Sequence, residues 1–144
     1  MTTPLVRPVL TIAFATIAVF GAGSAAAEPT YTPEGFRSPS GNITCVSGGG
    51  AVACEINDHA YANPPRPEDC HGSYGDRFAM RNGAIPIIVC HNDTIRDESL
   101  PILSYGEAYV RGDLRCVSST SDVTCTNTRT YHAFTLSRDS YELR

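Results

Sequence analysis

Six cysteines, Cys45, Cys54, Cys70, Cys90, Cys116 and Cys125, constrain this chain more than any other feature, because two of the intervals between them repeat. Residues 45–54 read Cys-Val-Ser-Gly-Gly-Gly-Ala-Val-Ala-Cys, and residues 116–125 read Cys-Val-Ser-Ser-Thr-Ser-Asp-Val-Thr-Cys. The shared pattern is C-V-S-x4-V-x-C. Each copy reads as a β-hairpin. A two-residue turn at Gly49-Gly50 pairs Cys45 with Cys54 at a non-hydrogen-bonded position. Cα atoms there lie closest, about 4.5–5.5 Å apart, within reach of a disulfide. The second copy gives Cys116 with Cys125 by the same count. Thr120-Ser121 makes a poor two-residue turn, so a four-residue turn with the same outer pairing is expected there. Cys70 and Cys90 are left for each other. The competing scheme joins Cys54 to Cys70, which would use the two matching units differently. In the chain-entropy picture each ten-residue loop contributes about 2.7 kcal/mol and the 21-residue loop about 3.3 kcal/mol.

The disulfide reading requires an oxidising compartment, and the N-terminus supplies the route. Arg7 is the only charge before Glu28. Behind it an apolar run, Val9 to Phe20, is broken only by Thr11 and Thr16, and small residues 21–27 follow. A positive start, a short apolar core and an A-x-A end make a secretory signal peptide. The run is shorter than the roughly 20 residues a spanning helix needs. We expect cleavage after Ala27, a secreted product and no membrane span after processing. The organisation read from the sequence is a signal peptide at 1–27, a flexible tail at 28–34 and one disulfide-stabilised β domain at 35–144. The mature chain carries ten arginines, no lysine and fifteen acids, a net charge of −5. The absence of lysine excludes Schiff-base chemistry and a P-loop, and the acidic balance argues against a nucleic-acid partner.

The rest of the chain also reads as short strands. Ile85 to Cys90 is β-rich, with Pro86 pushing it to an edge or to a strand's first residue. Glu107 to Arg111 and Tyr131 to Ser137 alternate apolar and polar residues. Helical periodicity is nowhere sustained. The fold class is therefore all-β: a small antiparallel sandwich or open barrel with two pseudo-repeated disulfide hairpins. Asn63-Pro64-Pro65-Arg66-Pro67 is a stiff surface connector.

The order of these pieces resembles a family of small exported domains, mostly from high-GC Gram-positive bacteria, with no assigned function. The matching residues are Phe36-x-Ser-Pro-Ser-Gly-Asn-Ile-x-Cys45, Val52-x-Cys54-Glu-Ile and Pro65-Arg66-Pro67-x-x-Cys70. After them come Gly75, Cys90-x-x-Asp93-Thr94, Leu103-x-Tyr105-Gly106, Cys116-x-Ser118, Val123-x-Cys125-x-Asn127 and His132-x-Phe134-x-Leu-Ser-Arg138. Tyr74 stands where the family usually has Trp, and Tyr131-His132-Ala133-Phe134 replaces a Gly-His-Gly-Phe segment. The resemblance implies export, the β fold and the bridges. It implies no activity.

Motifs for catalysis are sparse. No G-x-S-x-G, H-E-x-x-H, EF-hand or dinucleotide glycine pattern occurs. No C-x-x-C is present, and His59, His71, His91 and His132 show no H-x-H or i,i+4 pairing, so neither a metal nor a cofactor is expected. Asp93-Thr94 reads as a turn cap, and Tyr105-Gly106 as a bend with a packed ring. The reading favoured is a non-catalytic extracellular or envelope-associated binding or interaction module whose ligand is unknown. The alternative is a small secreted hydrolase of guanyl-type ribonuclease character. In it Glu107 is the base, His132 the acid and Arg115 the phosphate holder. The secreted form should begin at Glu28. Intact-mass analysis of culture supernatant checks this, and a protein retaining Arg7 refutes it.

Overall fold

The structure, a computed structural model, describes residues 34–144. The expected signal peptide and all of the expected tail except Glu34 lie outside the described residues. Ten strands follow one another: β1 (Gly35–Arg37), β2 (Ile43–Gly48), β3 (Ala51–Ile56), β4 (Arg77–Arg81), β5 (Ile87–Ile88), β6 (Ala108–Arg111), β7 (Leu114–Ser118), β8 (Asp122–Asn127), β9 (Ala133–Ser137) and β10 (Tyr141–Leu143). They form two antiparallel sheets, each a meander of sequential neighbours, β1 to β5 in sheet 1 and β6 to β10 in sheet 2. Each sheet turns one face inward, and their buried residues form one core. The two sheets are open and make no closed barrel.

The two hairpins sit at the centre. In the first, Gly48 pairs with Ala51, leaving Gly49 and Gly50 to turn with φ of 57° and 78°. Positive φ at both positions marks the type I′ turn, whose twist suits a hairpin and which glycine adopts without strain. Six rungs carry the pairing to Ile43 and Ile56, with Cys45 opposite Cys54. In the second, Ser118 pairs with Val123 and Cys116 with Cys125. The expected four-residue turn closes it: Ser119 N donates to Asp122 O at 2.8 Å, and Ser119 Oγ accepts from Asp122 N at 3.0 Å. All three bridges form as read from the sequence, Cys45–Cys54, Cys70–Cys90 and Cys116–Cys125, with Cα separations of 4.1, 5.7 and 4.0 Å.

The repeat extends beyond the hairpins. Across sheet 1, register places Phe36, Cys45, Cys54, Phe78 and Ile88 in one inward row. Across sheet 2 the equivalent row is Tyr109, Cys116, Cys125, Phe134 and Leu143. The rows face each other in order. Phe36 meets Tyr109 with ring centroids 5.2 Å apart, Cys54 Sγ lies 3.8 Å from Cys125 Sγ, and Phe78 lies 6.5 Å from Phe134. A second row, Ser47, Val52 and Met80, corresponds to Ser118, Val123 and Leu136.

Three of the expected strands are shorter than read. Only Ile87–Ile88 of the stretch 85–90 is strand, at the sheet edge as Pro86 requires. Strand β6 starts at Ala108 rather than Glu107, and β9 at Ala133 rather than Tyr131. Tyr131 stands at φ 64°, which no strand residue adopts, and is 78% exposed. At Tyr105-Gly106 the bend forms, but the Tyr105 ring is exposed rather than packed.

One buried hydroxyl follows from the repeat. Ser47 Oγ shares a 2.6 Å hydrogen bond with the Tyr109 hydroxyl on the opposite sheet. Its counterpart, Ser118 Oγ, is buried with no partner, because the residue equivalent to Tyr109 is Phe36, which has no hydroxyl. Ser47→Ala should therefore cost about 1 kcal/mol, Ser118→Ala about nothing, and Phe36→Tyr should add about 1 kcal/mol by completing the second bond. Urea unfolding of the oxidised variants measures all three.

Candidate functional site

Alternation decides which residues face away from the core. Cys54 points inward, so Glu55 and Ala53 point to the outer face of sheet 1. Glu55 is nevertheless only 2% exposed. A strap covers it: residues 89–103, which carry the chain from the β5 edge of sheet 1 over its outer face to the β1 edge. Glu55 Oε2 accepts from Arg77 Nε at 2.9 Å and from Arg77 Nη2 at 2.6 Å. Oε1 accepts from Thr94 Oγ1 at 2.7 Å, and Arg96 Nε stands 3.5 Å away. The Ile95 N–H donates to Oε2 at 3.3 Å. Arg77 Nη1 continues to Asp93 Oδ1 at 2.8 Å. His91, within the strap, is itself buried, with Nδ1 2.7 Å from the Asp93 carbonyl and Nε2 3.0 Å from Asp76 Oδ1. At the far edge Arg37 Nε donates to Leu100 O, Arg37 N to Pro101 O, and Leu103 N to Arg37 O. Asp93 and Thr94 thus clasp distant strands, and their role is larger than the turn cap read from the sequence.

Burial pushes the Glu55 carboxyl up, but the bonds from Thr94, Arg77 and Ile95 and the Arg77 charge outweigh it and hold it below its ordinary value. The cluster is fully partnered and walled off by the strap, so it anchors the strap rather than offering a reactive group.

Beside the strap the outer face of sheet 1 is open and apolar. The row Val46, Ala53 and Ala79, with Ala51 next to it, forms the floor of a groove of about 840 Å³. Ile85, Ile87 and Val89 wall the β5 side, and Leu100 closes the strap side. Ile85 and Ile87 are 68% and 60% exposed. Alanine is a poor strand former, and at these positions it leaves the space that longer side chains would fill. The residues of sheet 2 equivalent to Ala53 and Ala79 are threonines. Ala53 and Ala79 pair across β3 and β4, whereas Thr124 and Thr135 pair across β8 and β9 and share a 2.9 Å hydrogen bond. At these two positions the repeat thus has a hydrogen-bonded pair on one outer face and a hollow on the other.

The three residues of the ribonuclease reading do not converge on this groove or on one another. Glu107 precedes β6, and its carbonyl accepts from Ser118 N at the end of β7. His132 lies beyond the other end, where its carbonyl accepts from Asn127 N and Asn127 pairs with Leu114 at the start of β7. Four residues of strand, about 13 Å, separate those ends. Arg115 is exposed on the outer face of sheet 2, opposite Val110 and Thr126. His132 instead joins the sheets: its Nδ1 and Thr130 Oγ1 both bond the Gly83 carbonyl, at 2.7 and 2.8 Å. Sulfur atoms of Cys45, Cys54 and Cys125 lie within 4.8 Å of one another, but each belongs to a disulfide and offers no thiolate to a metal.

Fold and surface define a disulfide-pinned two-sheet β domain with a single-sided apolar groove. A family profile, DUF6636, described as a family of unknown function, matches residues 11–143, and the chain belongs to that family. Neither the curated proteins nor the solved structures hold a match to it. Among the described residues no helix is long and apolar enough to cross a membrane. Three disulfides suit an oxidising compartment.

Removing the anchor of the strap should be costly. Glu55→Gln leaves Arg77 buried with only the exposed Asp93 as a charged partner, and should destabilise the protein by about 3 kcal/mol at pH 7. A carboxyl lowered on folding stabilises fully above its ordinary value of 4.5 and loses that contribution as pH falls through the lower folded value. The gap in thermal midpoint between the native protein and Glu55→Gln should therefore be widest near neutrality and shrink below about pH 4.

Proposed function

We propose that the mature protein is an exported, non-catalytic binding module that holds an elongated apolar ligand in the groove on the outer face of sheet 1. The observation that carries this reading is the hollow floor. Val46, Ala51, Ala53 and Ala79 leave a recess of about 840 Å³, within the range of ligand-holding cavities, about 300–1,000 Å³. The rim residues Ile85 and Ile87 expose apolar surface to water, and a ligand lying between them would cover it. Export rests on the leader read from residues 1–27 and fits the three bridges. Binding rather than catalysis fits a floor of Val46, Ala51, Ala53 and Ala79, which carry no nucleophile, acid or base, and the arginine beside it, Arg77, is engaged by Glu55 and Asp93.

A neutral solvatochromic dye, Nile red, tests the groove directly. It should bind the oxidised protein with a blue-shifted emission. Ala53→Phe fills the floor and should weaken binding at least about tenfold, the effect of losing about 1.4 kcal/mol. Thr124→Phe, the same change at the equivalent position of sheet 2, should leave it unaltered. Equal loss in both variants, or none in either, refutes the assignment.

A further inference from the structure

We infer that the occupant of the groove is a single-chain amphiphile with an anionic head, its chain along the alanine floor and its head at Arg81; this rests on the binding reading above. The inference comes from how charge is distributed around an apolar recess. The floor row, Val46, Ala53 and Ala79, contributes no polar side chain. The arginine beside it, Arg77, is already neutralised by Glu55 and Asp93. Arg81 differs. It ends β4 opposite Ala51, lines the groove on the side away from the strap, is exposed, and makes no ion pair among the described residues. The acids of the groove lie elsewhere. Asp97 belongs to the strap, and Glu34 flanks β1, where its carbonyl accepts from Ser47 N. Three strand spacings, about 14 Å, separate β1 from β4. An anionic head is attracted at one end and repelled at the other, so the charge pattern orients the ligand as well as selecting it.

A single chain suits the space better than a membrane surface. The floor is recessed below Ile85, Ile87 and Leu100, so contact with it requires something narrow enough to enter. The mature chain also carries fifteen acids against ten arginines, which opposes adsorption to an anionic bilayer. A cationic head would meet Arg81 with like charge.

Displacement of Nile red from the oxidised full mature chain by dodecanoate, dodecanol and dodecyltrimethylammonium, all below micelle formation, tests the inference. Dodecanoate should displace at a concentration about tenfold lower than dodecanol, as expected for a charge-assisted contact at a half-open site, and the cation should be weakest. Arg81→Gln should bring dodecanoate and dodecanol level, each read against that variant's own Nile red affinity, and Arg81→Lys should keep the preference. If dodecanol matches dodecanoate on the native protein, the head assignment fails and the groove stands. If Nile red does not bind, or Ala53→Phe does not weaken it, the groove reading itself fails. Three further outcomes overturn the proposal by naming another occupant. One is capture by anionic vesicles without displacement by free dodecanoate. Another is a dimer that Ala53→Phe converts to monomer. The third is dye binding to a chain starting at Glu34 but not to one starting at Glu28.

Discussion

The contact on which the rest of this structure depends is made by two disulfides laid against each other in the middle of the sandwich. Cys45–Cys54 and Cys116–Cys125 are each cross-strand rungs, each wholly buried, and the sulfurs of Cys54 and Cys125 touch at 3.8 Å. A rung of this kind does two things at once. It fixes the hairpin register, since a slip by one residue would turn every side chain to the other face. It also places a compact, polarizable group in contact with its counterpart on the other sheet. The aromatic pairs Phe36–Tyr109 and Phe78–Phe134 then flank the sulfur layer on both sides, and Val52, Met80, Val123 and Leu136 extend the core beside it.

The rows reveal that the repeat is a whole five-stranded meander and not merely a hairpin. Its departures from symmetry are where the two halves have been given different work. Glu55 and Arg77, the clasp of the strap, occupy the places of Thr126 and Ala133 in the second half. Only the outer face of sheet 1 has a strap to hold, because the chain must cross that face once to pass from the first meander to the second. Ile56 corresponds to Asn127, whose side-chain oxygen accepts from Arg129 N and Thr130 N and so shapes the turn that carries His132 onto Gly83. The alanine floor of the groove corresponds to the Thr124–Thr135 pair.

The sequence made the bridges legible because C-V-S-x4-V-x-C contains its own geometry: ten residues, a glycine turn and cysteines at matching parity. Class and sheet arrangement followed from short alternating stretches. The strands that misled did so where backbone conformation overrode alternation, at Tyr131 with its positive φ and at Pro86, whose ring confined β5 to two residues. The groove was not legible. Ala53 can be set against Thr124 by aligning the two cysteine units, but Ala79 and Thr135 sit in strands of different spacing from the cysteines, and only the register shows that they correspond. Glu55, Asp93 and Thr94 are far apart in sequence, so a local turn was the natural reading of the last two. The catalytic reading of Glu107, Arg115 and His132 relied on two short segments and lacked the pairing that would have shown Glu107 and His132 to flank opposite ends of β7.

Stability and the hollow floor are physically linked. Alanine at Ala51, Ala53 and Ala79 sacrifices strand propensity on a scale of about 1 kcal/mol, and an apolar recess open to water forgoes the burial that larger side chains would provide. A domain of this size with a single core has little surplus to lose. Two local bridges restrict the unfolded chain by about 2.7 kcal/mol each in the entropic picture, and they do so from the inner face, without occupying any of the outer one. The inward row can therefore hold the fold while the outward row of the same strands is left free of bulk. In sheet 2 the same inward row supports an outer face filled with hydrogen-bonded threonine, which shows that the hairpins do not themselves require the alanines. The hollow is a separate choice made on one face, and the sulfur layer behind it is what makes that choice tolerable.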